Sequence, residues 1–168
     1  MVTTSVEILE ALDQEFLLRQ THILCASYAH WTGRQLVAAT DGIALEYVRQ
    51  LWTAPFAVVA HDTQADPVFN YGNVCAQQLF GMGWREFTQL PSRLSAEPLA
   101  REERARLLAR VTQHGYVDDY AGVRIAKNGT RFMIRNATVW NLMDQDGRYC
   151  GQAARFDPPL PSDILENV

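Results

Sequence analysis

Hydrophobic positions change their spacing several times along the chain, and each change predicts a new secondary-structure element. Over the first thirty residues the apolar side chains recur at roughly helical intervals until Gly33 breaks the pattern. A second helix is predicted from Gly42 to Trp52, and Pro55 ends that segment. The N-terminal third of the chain therefore predicts helices over about Thr4 to Trp52.

The middle of the chain switches from an extended to a helical pattern. The apolar run Phe56 to Ala60 predicts a first strand, and Val68 to Tyr71 predicts a second strand after the turn "TQAD". From Val74 onward the apolar residues adopt helical spacing. Asn73 is the predicted N-cap, because its side chain can accept a hydrogen bond from a free N–H group of the first turn, and Gly81 is the predicted C-cap.

The last third predicts one long helix followed by an antiparallel meander. A charged, solvent-exposed helix is predicted from Pro98 to His114, and Gly115 closes it. Three strands follow, joined by "KNG" and "DQDG", in which Asn or Asp precedes Gly as in hairpin turns. Their predicted bounds are Tyr120–Ala126, Arg131–Asn141 and Tyr149–Phe156, and "DPPLP" is expected to end the sheet. Two strands, a helical excursion and a meander predict an α+β fold with a five-stranded sheet.

Composition and charge narrow the classes of function. The formal net charge of −4 and the pI near 5.5 provide no basic surface for the phosphate backbone of nucleic acid. No apolar run is long enough to span a bilayer, and no secretory leader is apparent, so a cytoplasmic protein without a membrane partner is expected. Cys25, Cys75 and Cys150 have no paired spacing, which predicts free thiols and not a disulfide framework.

Several strings of residues, in order, carry a family resemblance. "APFAVVAHDTQADPVFNYGNVCAQQLF", "LPSRLSAEP", "YAGVRIAKNGTRFMIRNATVWNL" and "GQAARF" resemble the MEKHLA domain, a PAS-like family found in small bacterial proteins and in plant transcription factors. The resemblance covers about Gln50 to Phe156 and also reaches into the N-terminal helices. It implies a PAS-like antiparallel sheet of order 2-1-5-4-3, with an N-terminal helical extension over 1–53, the domain over 54–157 and a tail over 158–168.

The resemblance implies ligand sensing or protein interaction as a class of function, since the family provides no catalytic residues to transfer. Many PAS domains end in an acidic motif that leads into a signalling helix. Here Asp157 is followed by Pro158 and Pro159, which cannot continue into such a helix. The N-terminal helices are therefore the expected route for a signal.

The strand "RFMIRNATVWNL" has apolar residues on both faces, which predicts that both faces of the sheet are covered. Strict alternation places Phe132, Ile134, Asn136, Thr138 and Trp140 on the face under the helical excursion. The N-terminal helices are expected to cover the outer face, within the chain or from a second subunit in a homodimer. That outer face is expected to present Met133, Ala137, Val139, Ala121, Val123 and Ile125.

The leading functional hypothesis is a non-catalytic module with a pocket for a small organic ligand between the sheet and the helical excursion. Such a pocket needs apolar walls and a few oriented polar groups. The predicted ligand-binding residues are Tyr71, Asn73, Trp84, Arg124, Phe132 and Asn136, with further wall residues Phe56, Val58, Phe80 and Ile134.

A small enzyme that uses the same cleft is the alternative. His61, Asp62 and Asp66 in "HDTQAD" would be its acid-base set, although both aspartates also suit a structural turn. Cys75 shares only part of the flavin-reactive motif of some PAS relatives and favours a buried thiol. His114 favours a helix-terminal histidine over a haem ligand, so no cofactor is identified from the sequence.

Overall fold

The computed structural model describes residues 5–38 and 44–165. Within these ranges, six α-helices and six β-strands form the fold, together with 3-10 turns at Ser92–Ser95 and Pro161–Asp163. The helices are α1 (Ser5–Ala11), α2 (Gln14–Thr32), α3 (Ala44–Trp52), α4 (Val74–Phe80), α5 (Trp84–Phe87) and α6 (Pro98–His114). The strands are β1 (Ala57–His61), β2 (Phe69–Gly72), β3 (Tyr116–Ile125), β4 (Arg131–Met143), β5 (Tyr149–Phe156) and β6 (Ile164–Leu165).

The sheet is antiparallel with the order β2-β1-β5-β4-β3, which confirms the predicted topology. A sixth strand was not predicted: β6 pairs with the beginning of β4, with Arg131 opposite Leu165. Two residues are too few to show a strand period in the sequence. Strand β3 also begins four residues before the predicted Tyr120, because exposed Asp118 and Asp119 interrupt the apolar pattern on this edge strand.

The N-terminal helices differ from the prediction at one point. The single long helix is interrupted at Asp13, whose side chain accepts a hydrogen bond from Phe16 N and caps α2. Gly33 ends α2 at φ 70°, as predicted. The predicted starts at Thr4 and Gly42 lie outside the described residues. None of the helices over the described ranges is long and apolar enough to cross a membrane.

Helix-capping predictions are confirmed around α4 and α6. The Asn73 side chain caps α4, and Gly81 ends it in the left-handed conformation at φ 68°. Helix α6 has the predicted bounds and stops at Gly115, whose φ is 96°. A β-carbon on Gly115 would lie 2.4 Å from the Trp31 ring. This glycine therefore both permits the turn and makes room for α2 against the sheet.

A β-bulge in β4 changes which side chains face each side of the sheet. Tyr120 pairs with Ala137 but Gly122 pairs with Ile134, so β4 contains one extra residue there. Asn136 absorbs it with φ 50°, a conformation that Asn tolerates better than most residues. The predicted strict alternation of β4 side chains between the two faces is therefore wrong from Ala137 onward. Asn136 itself is exposed.

Two layers of helices cover the two faces. The inner face lies under α4 and α6, and the side chains of Phe132, Ile134, Ala137 and Val139 pack there. The outer face lies under α2 and α3, as predicted, and the helices cover it within the chain. Its covered residues differ from those predicted: they are Val58, Ala60, Tyr71, Trp140, Leu142 and Ala153.

Hydrogen bonds fix α2 on the outer face. Trp31 Nε1 donates to Asn141 O at 3.0 Å, and Met143 N donates to Ser27 Oγ at 2.9 Å. The Asn141 carbonyl and the Met143 amide both belong to β4. The N-terminal helices are thus part of the same core as the central strands.

Candidate ligand cavity on the inner face of the sheet

A cavity of about 40 Å³ lies on the inner face, between the central strands and α6. Its apolar wall comes from both the sheet and the helices, and includes Val59, Phe80, Leu107, Ile134, Val139 and Phe156. Its polar lining comes from His61, Ser95, Arg104, Arg124 and Gln152. This combination of an apolar wall and a few polar groups is typical of small-molecule sites.

Arg124 extends from β3 into this lining and is only 8% exposed. Its guanidinium donates to Tyr120 Oη at 2.9 Å and to Val123 O at 3.2 Å, and it lies 5.3 Å from the centre of the Tyr120 ring. A β-carbon on Gly122 would lie 2.5 Å from Tyr120 Oη. Gly122 therefore leaves room for the tyrosine that orients Arg124.

Arg104 approaches the same cavity from α6. It lies one helical turn before Leu107 and two before Val111, so it continues the buried stripe of this helix. Burial lowers the pKa of Arg104 to about 10, and the nearby charge of Arg124 contributes to that decrease. Among the described residues Arg104 has neither a hydrogen bond nor an ion pair. Two guanidinium groups thus line one cavity, and no carboxylate from 5–38 or 44–165 is among its lining residues.

His61, the last residue of β1, provides a third basic group and is 5% exposed. Its Nδ1 lies 2.8 Å from Asp62 O, a carbonyl that can only accept, so Nδ1 carries the proton in the neutral ring. Nε2 is buried, and no group of the described residues forms a hydrogen bond with it. Burial lowers the pKa of His61, and the Arg104 charge lowers it further, while Asp62 opposes this. The neutral imidazole consequently presents a free acceptor at the cavity.

Gln152 lines the cavity and is hydrogen-bonded to Asn141 and to α6. Gln152 Nε2 donates to Asn141 Oδ1 at 2.9 Å and to Leu108 O at 3.2 Å. Asn141 Nδ2 donates to Val111 O at 2.8 Å. These two side-chain amides hold α6 against β4 and β5. The sequence analysis did not predict a functional role for either residue. The available signal was a polar side chain within the apolar strings "VWNL" and "GQAARF".

The structure separates the six residues predicted to bind a ligand. Tyr71 and Trp84 lie together on the outer side, with ring centres 5.9 Å apart, and both contact Trp52. Phe132 is on the inner face and packs on Phe80. Of the six, only Arg124 lines the cavity. Two of the predicted wall residues, Phe80 and Ile134, also line it.

Asn73 is fully buried and its side chain is occupied by backbone groups. Oδ1 accepts from Val58 N at 3.0 Å and from Ala76 N at 3.2 Å, while Nδ2 donates to Leu51 O and Phe56 O. One amide therefore joins α3, β1 and α4. Asn136 points away from this core at the exposed bulge. A ligand role for either residue stays a prediction from the sequence.

The proposed acid-base set of the enzyme alternative is not assembled as a cleft. The Asp62 carboxylate accepts from Gln64 N and Val68 N, which stabilises its own turn. Asp66 is half-exposed and pairs with Arg93 at 3.1 Å. His61 instead lies on the inner face. Within the described residues no group of three His, Cys, Asp or Glu side chains is placed to hold a metal ion.

The two residues weighed for cofactors lie outside the cavity lining. Cys75 is on α4, its Sγ lies 4.0 Å from Pro55 O, and burial raises the pKa of its thiol. His114 is exposed in the last turn of α6.

Comparison with known structures places this fold among the PAS and light-oxygen-voltage domains. A PAS domain from Colwellia psychrerythraea aligns with 70% of this chain and 97% of its own, with a TM-score of 0.61 and 13% identity. A light-oxygen-voltage domain studied with a flavin analogue aligns with 70% of this chain and 87% of its own, at TM-score 0.57 and 17% identity. An RNA-binding light-oxygen-voltage receptor aligns with 73% of this chain but 36% of its own, at TM-score 0.56 and 16% identity.

A comparison with proteins of curated function finds no match. The family comparison is decisive, because the model of the MEKHLA domain matches residues 18–158, which include most of α2 and all of α3 and β1 to β5. The PAS-like fold, the sheet order and this match agree with one another. The chain belongs to the MEKHLA domain family, a PAS-like family.

Proposed function

We propose that the chain is a non-catalytic sensory module that binds a small organic ligand in the inner cavity. The observation that carries the proposal is a group of basic side chains at one apolar site: Arg104, Arg124 and His61. Among the described residues, Arg104 has no hydrogen bond or ion pair and the buried Nε2 of His61 has no partner. Buried polar groups are normally paired, because an unpaired one costs folding free energy. Where several polar groups at one site lack such partners, they usually bind a ligand.

The size of the cavity limits the ligand. About 40 Å³ holds on the order of three water-sized spheres, which corresponds to a molecule of a few heavy atoms. Sites for drug-sized ligands are roughly 300–1,000 Å³, far larger than this one. The flavin named for one similar structure does not fit these residues, since the cavity is small and Cys75 does not line it.

A hydrogen-bonded path connects the cavity with the N-terminal helices. Gln152 lines the cavity and bonds Asn141, and Asn141 O accepts from Trp31 of α2. Ligand contact with Gln152 would therefore be transmitted to α2 through β4. This supports the N-terminal helices as the output of the module, which the Asp157-Pro158-Pro159 ending of the sheet also favours.

Native mass spectrometry of the protein purified from its own host tests the proposal. We expect a bound organic mass that disappears on Ala154→Leu, because Ala154 lines the cavity and leucine would fill it. The matched control is Ala109→Leu on the exposed side of α6, which should retain the ligand. A ligand-free mass for the wild-type chain, or a ligand retained by folded Ala154→Leu protein, would reject the cavity as the site.

A further inference from the structure

We propose that the ligand is a small organic anion, a carboxylate of about two to four carbons, held between Arg104 and Arg124. This inference rests on the proposed function and specifies the ligand's charge. Two guanidinium groups and an imidazole line one small cavity, and in the described part of the chain none of the lining side chains is acidic. A carboxylate is the ordinary partner of a buried guanidinium, since it satisfies several N–H donors at once.

The carboxylates of the chain that form ion pairs are engaged elsewhere. Glu97 pairs with Arg131, Asp66 with Arg93, and Asp163 with Arg135. Asp62 stabilises its own turn. On α6 itself, Glu102 and Glu103 are exposed, and neither pairs with Arg104. Within the described residues, no acidic side chain is therefore placed to neutralise Arg104.

The lining of the cavity favours an organic anion over an inorganic one. Apart from the basic groups and two hydrogen-bonded polar side chains, Ser95 and Gln152, the lining is aliphatic or aromatic. Such a wall gains free energy by covering an alkyl group and gains nothing from the outer oxygens of phosphate. A carboxylate head at the arginines with an alkyl group against Val59, Phe80 and Ile134 satisfies both parts of the lining.

His61 makes binding dependent on pH. The charged groups that face it are Arg104 on α6, Arg124 on β3 and the adjacent Asp62. In the free protein burial and the charge of Arg104 oppose its protonation, whereas a carboxylate within reach of Nε2 favours the imidazolium, which can donate to it. Anion binding is thus coupled to proton uptake at His61, and the affinity should increase as the pH falls from about 8 to about 6.

The inference is tested by NMR titration of the full chain, refolded from denaturant to remove bound molecules. The probes are propionate, the uncharged propionamide of the same shape, and inorganic phosphate. We expect saturable shifts of amides in β1, β3 and α6 with propionate, tighter at pH 6 than at pH 8, and none with propionamide. Arg104→Gln should weaken propionate binding at least about tenfold. Arg106→Gln, an exposed change on the same helix, should leave it unaltered.

The outcomes separate this inference from the proposed function. Equal binding of propionamide, phosphate binding at least as tight as propionate, or unchanged affinity in folded Arg104→Gln protein would overturn the carboxylate inference while leaving a ligand-binding module. A neutral bound molecule in native mass spectrometry would do the same. If no probe binds and the host-purified protein carries no ligand, the proposed function and the inference are both overturned.

Discussion

The unpaired charge of Arg104 should reduce the stability of the ligand-free protein. Its guanidinium is half-buried beside Arg124 and has no acidic partner among the described residues. Replacing a charge of this kind with an apolar side chain of similar length is often stabilising, because the cost of desolvation is removed. We therefore expect Arg104→Met to unfold at a higher urea concentration than the wild-type chain.

The size of this gain follows from the pKa. Burial, with the charge of Arg124, lowers the pKa of Arg104 well below its ordinary value, to about 10. At about 1.4 kcal/mol for each pKa unit, the charged form costs the folded state ~3 kcal/mol. Because the side chain keeps some contact with water, part of this cost is screened. The expected gain in the free energy of unfolding is about 1–2 kcal/mol.

Urea denaturation followed by tryptophan fluorescence measures the gain, since the chain has four tryptophans. The protein should first be refolded without ligand. Arg106→Met is the matched control, because Arg106 is exposed on the same helix and its change should stay within about 0.5 kcal/mol. If Arg104→Met is less stable than this control, the charge is already compensated and the reasoning about the cavity fails.

Three further changes test other parts of the structure. Asn73→Ala should lower the free energy of unfolding by at least about 3 kcal/mol in urea titrations, because it removes the hydrogen bonds of the Asn73 side chain to two N–H and two carbonyl groups. A loss below about 1 kcal/mol would contradict this role. The folded-state pKa of His61 is lowered, so acidification below about pH 6.5 favours the unfolded state, and His61→Gln should flatten the loss of stability between about pH 7 and 5. If the free energy of unfolding of His61→Gln depends on pH as that of wild type does, His61 does not have a lowered pKa in the folded state. Deleting residues 1–51 should expose Trp140 and Leu142 and produce aggregates in light scattering, whereas a monomeric fragment with an unchanged fold would show that these helices are dispensable.

Local chemistry explains why much of the fold could be predicted. Asn73 and Gly81 predict the two ends of α4, because helix capping depends on residues that are close in sequence. Hairpin turns at "KNG" and "DQDG" likewise fix which strands pair. The order of the sheet required the family resemblance, since the return of β5 to β1 is a contact distant in sequence.

The cavity was harder to predict because it depends on tertiary placement. His61 was assigned to a turn, but β1 lies one residue later than predicted, and this places the imidazole on the inner face. The bulge at Asn136 reversed the faces of β4 from Ala137 onward. Arg104 was one of several charges on a helix expected to be exposed. Its position three residues before Leu107 on the apolar stripe was the signal that could have selected it.

The most direct measurement is a high-resolution crystal structure of the chain purified from its own host. The account predicts density for a small carboxylate that contacts Arg104 and Arg124, with its alkyl group against Ile134 and Phe80. Density for ordered water alone, together with a ligand-free mass of the same sample, would contradict the account.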